Sequence, residues 1–397
     1  MQTRIPSRAL PSAAVTLVAA AVLAAAAPAL AQPVPAPQVA ARAWMLTDVT
    51  SGQVLGGGNM DERIEPASLT KLMTAYLAVE AVRDGKLKYD QMLTPTETVR
   101  SVKTDESRMF LQPGKPVSVR DLLQGLIVQS GNDAALVLAE AVGGTETNFV
   151  MLMNREAERL GMKGTHFMNA AGLPDPNHYT TARDLSILTA ALIRDFPEDY
   201  KFYSQKEFTY NNIKQPNRNR LLWIDPTVDG VKTGHTKSAG YCLITSAKRP
   251  LPDVPNASRR LLSVMIGAKS EQVRTQESLK VLNYGYQFFD TLRLYEAKQA
   301  LQTPDVYKGQ AKTVKLGVTE DKWITVPKGS GGRLKPVLER KEPLIAPIAQ
   351  GQQLGTVKVM DGATVVQEFP VVALEAVPEA GFIGRTIDSI KLWFKKK

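Results

Sequence analysis

The sequence predicts an α+β protein in which an antiparallel sheet flanked by helices is followed by a small all-β domain and a C-terminal amphipathic helix. Three observations lead there. Strand-like runs stand towards both ends of residues 41–291 (Arg42–Asp48, then Tyr241–Ala247 and Arg260–Gly267), with helical patterns between them. Neighbouring strands joined by a loop favour antiparallel pairing. From about Leu292 only short runs between Gly, Pro and Asp turns remain, until residues 381–397 return to helical spacing.

Composition bounds the reading. A chain of 397 residues, 44% apolar and 22% charged, is globular and long enough for a large core. Its formal charge of +10 favours acidic partners: anionic lipid, nucleic acid or an acidic polymer such as cell wall. Residues 1–31 read as a secretory signal, with Arg4 and Arg8 ahead of an apolar stretch that ends in Ala29-Leu30-Ala31. An uncleaved membrane helix is the alternative. Residues 32–40 are a proline-rich, extended lead-in. Cys242 is the single cysteine and lies in an apolar run, so no intrachain disulfide is possible. Without Cys or His clusters, neither a metal site nor a cofactor is expected.

Along residues 41–291, the strand Arg42–Asp48 turns at Thr50–Gln53 into a hairpin partner beginning Val54-Leu55. A helix then starts around Pro66 and Ser68, with Leu69, Leu72, Met73 and Tyr76 at helical spacing, and stops at Asp84-Gly85. Ser118 followed by Asp121 opens another helix, which runs into Gln129-Ser130-Gly131-Asn132-Asp133 before helix resumes at Ala134. A polar turn between apolar helices needs partners, either internal or a ligand. Helices follow at about 148–160, 182–193 and 271–289, and Val228–His235 leads into the strand pair. Residues 292–380 form the all-β domain, in which no catalytic constellation stands out. In 381–397, Phe382, Ile383, Ile387, Ile390, Trp393 and Phe394 share one face flanked by lysines. Such a helix suits an anionic lipid interface; docking on the β domain is the alternative.

Chemistry concentrates in three motifs. Ser68 and Lys71 lie one helical turn apart, placing an amine beside a hydroxyl. A serine hydroxyl needs a neighbouring base to become a nucleophile, and burial or nearby positive charge converts a lysine into one. Ser130-Gly131-Asn132 and Lys232-Thr233-Gly234 follow, in an inter-helix turn and a strand. This ordered triplet is that of penicillin-recognising serine enzymes, with Gly in place of the usual middle Asp. The chain resembles the low-molecular-weight penicillin-binding proteins, specifically D-alanyl-D-alanine carboxypeptidases. Val231–Thr236, Ala239-Gly240-Tyr241, Asn217-Arg218-Asn219, Leu221-Leu222-Trp223 and Ile390-Lys391-Leu392 all look like that family. The fold it implies for 41–291 is the β-lactamase and transpeptidase-like catalytic domain.

The resemblance implies Ser68 as acylated nucleophile, Lys71 as general base and Ser130 as proton relay to the leaving amine. It places Asn132 on a substrate amide and beside Lys71, and Lys232 as a source of positive field. The backbone N–H groups of Ser68 and His235 would receive the oxyanion; the His235 side chain as base is the minor alternative. Gly234 belongs to the same strand motif. A terminal carboxylate would be met by Thr233 and an arginine, either Arg260 or, pointing the other way, Arg259. The implied substrate is the peptidoglycan pentapeptide stem, with β-lactams as covalent inhibitors. The implied location is the periplasmic face of the inner membrane, held by the 381–397 helix. A DD-endopeptidase, a β-lactamase and a non-catalytic wall-binding scaffold are the competing readings. Export argues against nucleic acid as a partner, and no Gly-x-Ser-x-Gly elbow supports a Ser-His-Asp hydrolase. Oligomeric state and the third residue of the stem are not legible.

Overall fold

The computed structural model describes residues 34–395; the expected signal segment 1–31 and the last two lysines lie outside the described residues. Strands β1 (Ala43–Asp48), β2 (Gln53–Gly58), β3 (Val228–Thr236), β4 (Gly240–Pro250) and β5 (Ser258–Ala268) form one antiparallel sheet in the order β2-β1-β5-β4-β3. Both faces are covered. Met45, Ile244, Leu262, Val264 and Ile266 pack with Leu72 and Met73 of α1 (Lys71–Arg83), Leu138 of α3 (Asn132–Gly143) and Leu185 and Leu188 of α5 (Ala182–Asp195). Between these helices lie α2 (Val119–Gln124) and α4 (Glu146–Leu160).

On the opposite face, Trp44, Leu46, Leu243, Leu261 and Met265 meet Val281 and Leu282 of α6 (Glu271–Phe288). Double coverage is why these strands read as continuous apolar runs instead of alternating. Cys242, free and fully buried, belongs to the core on the α1 and α5 side of the sheet, and burial pushes its thiol up to about 11. The proline-rich lead-in lies along α6: the Val34 and Gln38 carbonyls accept from Tyr284 and Lys280.

The α6 helix runs into β6 (Phe289–Tyr295), which pairs with β7 (Lys322–Pro327). A second five-stranded sheet follows, in the order Ala300–Gln302, Leu316–Gly317, β10 (Thr364–Ala373), β9 (Gln353–Asp361) and β8 (Leu334–Arg340). Its own core contains Leu316, Ile324, Val357, Val359, Phe369 and Val371. The last helix, α7 (Phe382–Lys395), leaves its apolar face open, with Phe382 78%, Ile383 75% and Trp393 59% exposed. The helix meets the β domain along one edge, where Asp388 accepts the Lys308 N–H at 2.7 Å and Ile387 lines a groove with Val306 and Tyr307. Among the described residues no helix is long and apolar enough to cross a membrane.

One buried carboxylate ties the first sheet to the β6–β7 pair. Asp48, fully buried at the end of β1, accepts through Oδ2 from Arg259 Nε at 2.7 Å, Thr291 Oγ1 at 2.6 Å and Thr325 Oγ1 at 2.8 Å. Its Oδ1 accepts from the Thr50 and Ser51 N–H groups of the hairpin turn. Gln53 adds a two-way amide pair with the Thr325 backbone. Removing one partner from a buried pair leaves the other charge stranded, so Asp48→Ala is expected to cost about 3–5 kcal/mol. Thr325→Val, which removes one neutral donor, should cost about 1 kcal/mol. Urea unfolding measures both, and an Asp48→Ala loss no larger than that of Thr325→Val would contradict this account.

Candidate active site

A cleft of about 810 Å³ opens beside β3 and is lined by Ser68, Ser130, Asn132, Thr233, Gly234 and His235 from three separate chain segments. Ser68 does not stand in the first turn of an α-helix. It sits in a 3-10 turn, Ala67–Thr70, that precedes α1. Ala67 has φ +49°, in the left-handed region that non-glycine residues rarely adopt. The turn is pressed from one side by Gly172, where an added Cβ would lie 1.8 Å from the Ala67 carbonyl oxygen. Only glycine fits there.

Lys71, at the start of α1, is 1% exposed. Its Nζ lies 3.0 Å from Ser68 Oγ and donates to the Ala171 carbonyl at 2.6 Å. Burial, followed by the positive charge of Arg218, lowers its pKa to about 7. The Ala171 carbonyl is itself fixed by Asn169, whose Oδ1 accepts from the Gly172 N–H at 2.7 Å and the Leu173 N–H at 2.9 Å. His178, buried beneath this loop, has Nε2 3.0 Å from Thr70 Oγ1 and Nδ1 3.2 Å from Asn169 Nδ2. Burial pushes the His178 imidazole down to about 4.

The second segment begins where α2 passes through a π-helical turn, Gly125–Gln129, and ends at Ser130 with φ +66°. Ser130 Oγ accepts from Lys232 Nζ at 2.8 Å, and the same amine donates to the Thr233 carbonyl at 3.0 Å. Burial and the adjacent Lys71 hold Lys232 well below the usual lysine range. Glycine at 131 has a local reason: a Cβ there would lie 2.7 Å from Asp133 Oδ1 and 3.2 Å from the Met109 nitrogen. Asp133 needs that space, because its carboxylate accepts the Met109 and Leu111 N–H groups and pins the 105–111 loop over the cleft.

Two expectations are corrected. Arg260 does not reach the cleft: its guanidinium pairs in a fork with Asp229 at 2.7 Å and bonds Ser246, further along the strands. Arg259 faces the other way, into Asp48, so neither neighbour on β5 meets the site. The arginines lining the cleft are Arg218 and Arg274. Arg274 is 4% exposed, lies 3.4 Å from the Gly234 carbonyl through Nη1, and stands over the Tyr241 ring. A signal for it existed: Arg274 shares a helical face with buried Ser278, Val281, Leu282 and Gly285, where a cation is out of place. Asn132, expected to help orient Lys71, makes no hydrogen bond to its amine and donates to Glu106 Oε2 at 2.6 Å. Among the described residues no group of three or more His, Cys, Asp and Glu side chains could hold a metal ion.

The geometry agrees with what the chain is similar to. The family model of D-alanyl-D-alanine carboxypeptidases matches residues 30–270, and the model of the penicillin-binding protein 5 C-terminal domain matches 289–379. D-alanyl-D-alanine carboxypeptidase DacC of Escherichia coli is 42% identical over 365 residues, covering 90% of each chain. The crystal structure of penicillin binding protein 5 from Haemophilus influenzae superposes with a TM-score of 0.82 at 42% identity, covering 87% of this chain and 100% of that one. Penicillin-binding protein D2 from Listeria monocytogenes in its ampicillin-bound form gives 0.57 at 32% identity, over 64% of this chain and 100% of that one.

The Lys71 shift sets a pH dependence of stability. With a folded pKa of about 7 against an ordinary 10.5, the unfolded chain binds a proton across that window that the folded chain does not. The contribution of this group to stability therefore rises with pH between those values and is flat below about 7. The urea midpoint of the wild type is expected to gain on that of Lys71→Met from pH 7 to about 10. A constant difference across the window would mean that the amine stays charged.

Proposed function

The chain belongs to the D-alanyl-D-alanine carboxypeptidase family, and we propose a division of labour among its cleft residues for removing the terminal D-alanine of peptidoglycan pentapeptide stems. It is a serine-type carboxypeptidase. The contact between Ser68 Oγ and Lys71 Nζ, 3.0 Å long with the amine poised near neutral pH, carries the reading.

Neutral Lys71 takes the hydroxyl proton as Ser68 Oγ attacks the carbonyl between the last two D-alanines. The backbone N–H groups of Ser68 and His235 receive the developing oxyanion; such donors are each worth about 3 kcal/mol in comparable sites. Ser130, bonded to Lys232 at 2.8 Å, relays that proton from Lys71 to the departing amine, and D-alanine leaves. Lys232 keeps the field positive on that side. Water then attacks the Ser68 ester, giving a proton to Lys71, which returns it to Ser68 Oγ as the shortened stem leaves. Thr233 and Arg274, which line the cleft, hold the terminal carboxylate in the role first expected of Arg260. A β-lactam presents an amide carbonyl and a carboxylate in the same relation, so it acylates the same serine. The free amine predominates above about pH 7, so acylation belongs to that range.

Export and attachment to the outer face of the inner membrane complete the proposal. The open face of Phe382, Ile383, Ile387, Ile390, Trp393 and Phe394 supports it, with lysines beside it to meet anionic headgroups. The all-β domain would hold the cleft away from the bilayer.

Two outcomes are expected. The mature protein releases free D-alanine from a D-Ala-D-Ala-terminated pentapeptide and is labelled by penicillin, while Ser68→Ala does neither. Release by Ser68→Ala would remove the acyl-enzyme from the mechanism. Deletion of 381–397 should move the activity from membranes to the soluble fraction, and activity still sedimenting with membranes would exclude this helix as the anchor.

A further inference from the structure

We propose that Glu106 selects the stem peptide by binding a free ammonium group on the residue that precedes the two D-alanines. The inference rests on the carboxypeptidase reading of the cleft and adds a substrate feature to it.

Glu106 lines the same cleft as Ser68 and Ser130. It sits on a loop held at several points. The Asn132 N–H donates to the Ser107 carbonyl at 2.7 Å, Asp133 accepts from the Met109 and Leu111 N–H groups, and Arg218 donates to Ser107 Oγ at 2.6 Å. The carboxylate is therefore placed by its backbone, not left to sample. One oxygen accepts from Asn132 Nδ2 at 2.6 Å, and among the described residues no Lys, Arg or His side chain forms an ion pair with it. Of the other acids lining the cleft, Glu271 lies 3.7 Å from Arg274 and 3.5 Å from Arg220, and Asp105 is exposed to solvent. Glu106 is a half-buried anion with no ion-pair partner among the described residues, although its charge acts on the Lys71 amine and raises that group's pKa.

The substrate brings one. Peptidoglycan stems carry a diamino acid immediately before the two D-alanines, and its distal amine is protonated at neutral pH. Asn132 is the group proposed to hold a substrate amide beside the attacked carbonyl, and Glu106 is one hydrogen bond from it. Consecutive Cα atoms are about 3.8 Å apart, so the side chain of that preceding residue emerges next to Asn132 and within reach of Glu106. An ammonium–carboxylate bond there would be charge-assisted and partly shielded from water.

The test uses three pentapeptides ending in D-Ala-D-Ala, with L-lysine, Nε-acetyl-L-lysine or meso-diaminopimelate in the third position. The wild type and Glu106→Gln are compared; glutamine keeps an oxygen for Asn132 and removes only the charge. The wild type should turn over both free-amine stems about tenfold more efficiently than the acetylated one, chiefly through KM. Glu106→Gln should erase that gap, so that free-amine and acetylated stems turn over alike whatever uniform change the lost charge near Lys71 brings to all three. A gap that survives in Glu106→Gln, or a wild type without one, overturns the proposal. So does a preference confined to diaminopimelate, which would place recognition at its extra carboxylate. Equal loss on all three stems would reduce Glu106 to a support for Asn132. Absence of D-alanine release from every stem by the wild type would instead reject the carboxypeptidase reading itself.

Discussion

Two lysine amines, Lys71 and Lys232, are buried in one cleft, and most of the architecture around it follows from keeping them there. An ammonium taken from water is costly unless it is paired, hydrogen-bonded or neutral. Each amine has a carbonyl to donate to, Ala171 for Lys71 and Thr233 for Lys232, and each has a serine hydroxyl beyond it. Neither has a carboxylate at salt-bridge distance among the described residues. Burial therefore lowers the proton affinity of both, and at Lys71 the fall to about 7 makes it a base. The same burial that threatens the fold provides the chemistry.

Holding two such amines requires three distant pieces of chain to meet at hydrogen-bond precision. The 3-10 turn at Ser68, the left-handed Ser130 and strand β3 are each stiff by local geometry. Loops make the final adjustment. Asn169 and His178 set the Ala171 carbonyl from below, and Asp133 sets the 105–111 loop from above. The neutral state of buried His178 suits it to this work, since it accepts from Asn169 on one nitrogen and donates to Thr70 from the other. The β6–β7 pair that leads into the second sheet is fastened at the end of β1 through Asp48, outside the cleft.

Much of this was legible in the sequence. The helical face of Leu69, Leu72, Met73 and Tyr76, the apolar runs of β4 and β5, and the short strands after residue 292 announced the α+β layout through periodicity alone. Other elements escaped. The hairpin Glu207–Tyr210 with Ile213–Pro216 turns on Asn211 and Asn212, both at positive φ, a signal available but unread. Residues 85–117 carry almost no periodic pattern, because that segment is held by side-chain contacts such as Asp133 to Met109 instead of by regular structure.

The sequence by itself determined the chemistry: hydroxyl, amine, second hydroxyl and second amine in a fixed order, on elements whose local patterns could be named in advance. Tertiary structure decided which charged groups face that chemistry. Arg274 stands out on the buried face of its helix, but nothing local says that it lines the cleft while Arg260 pairs with Asp229. Glu106 carried no local mark at all. Local pattern follows from backbone geometry over a few residues, whereas the partner of a charge is whichever opposite group the completed fold brings within about 4 Å. That choice exists only once the sheet, the helices and the loops have closed around the same space.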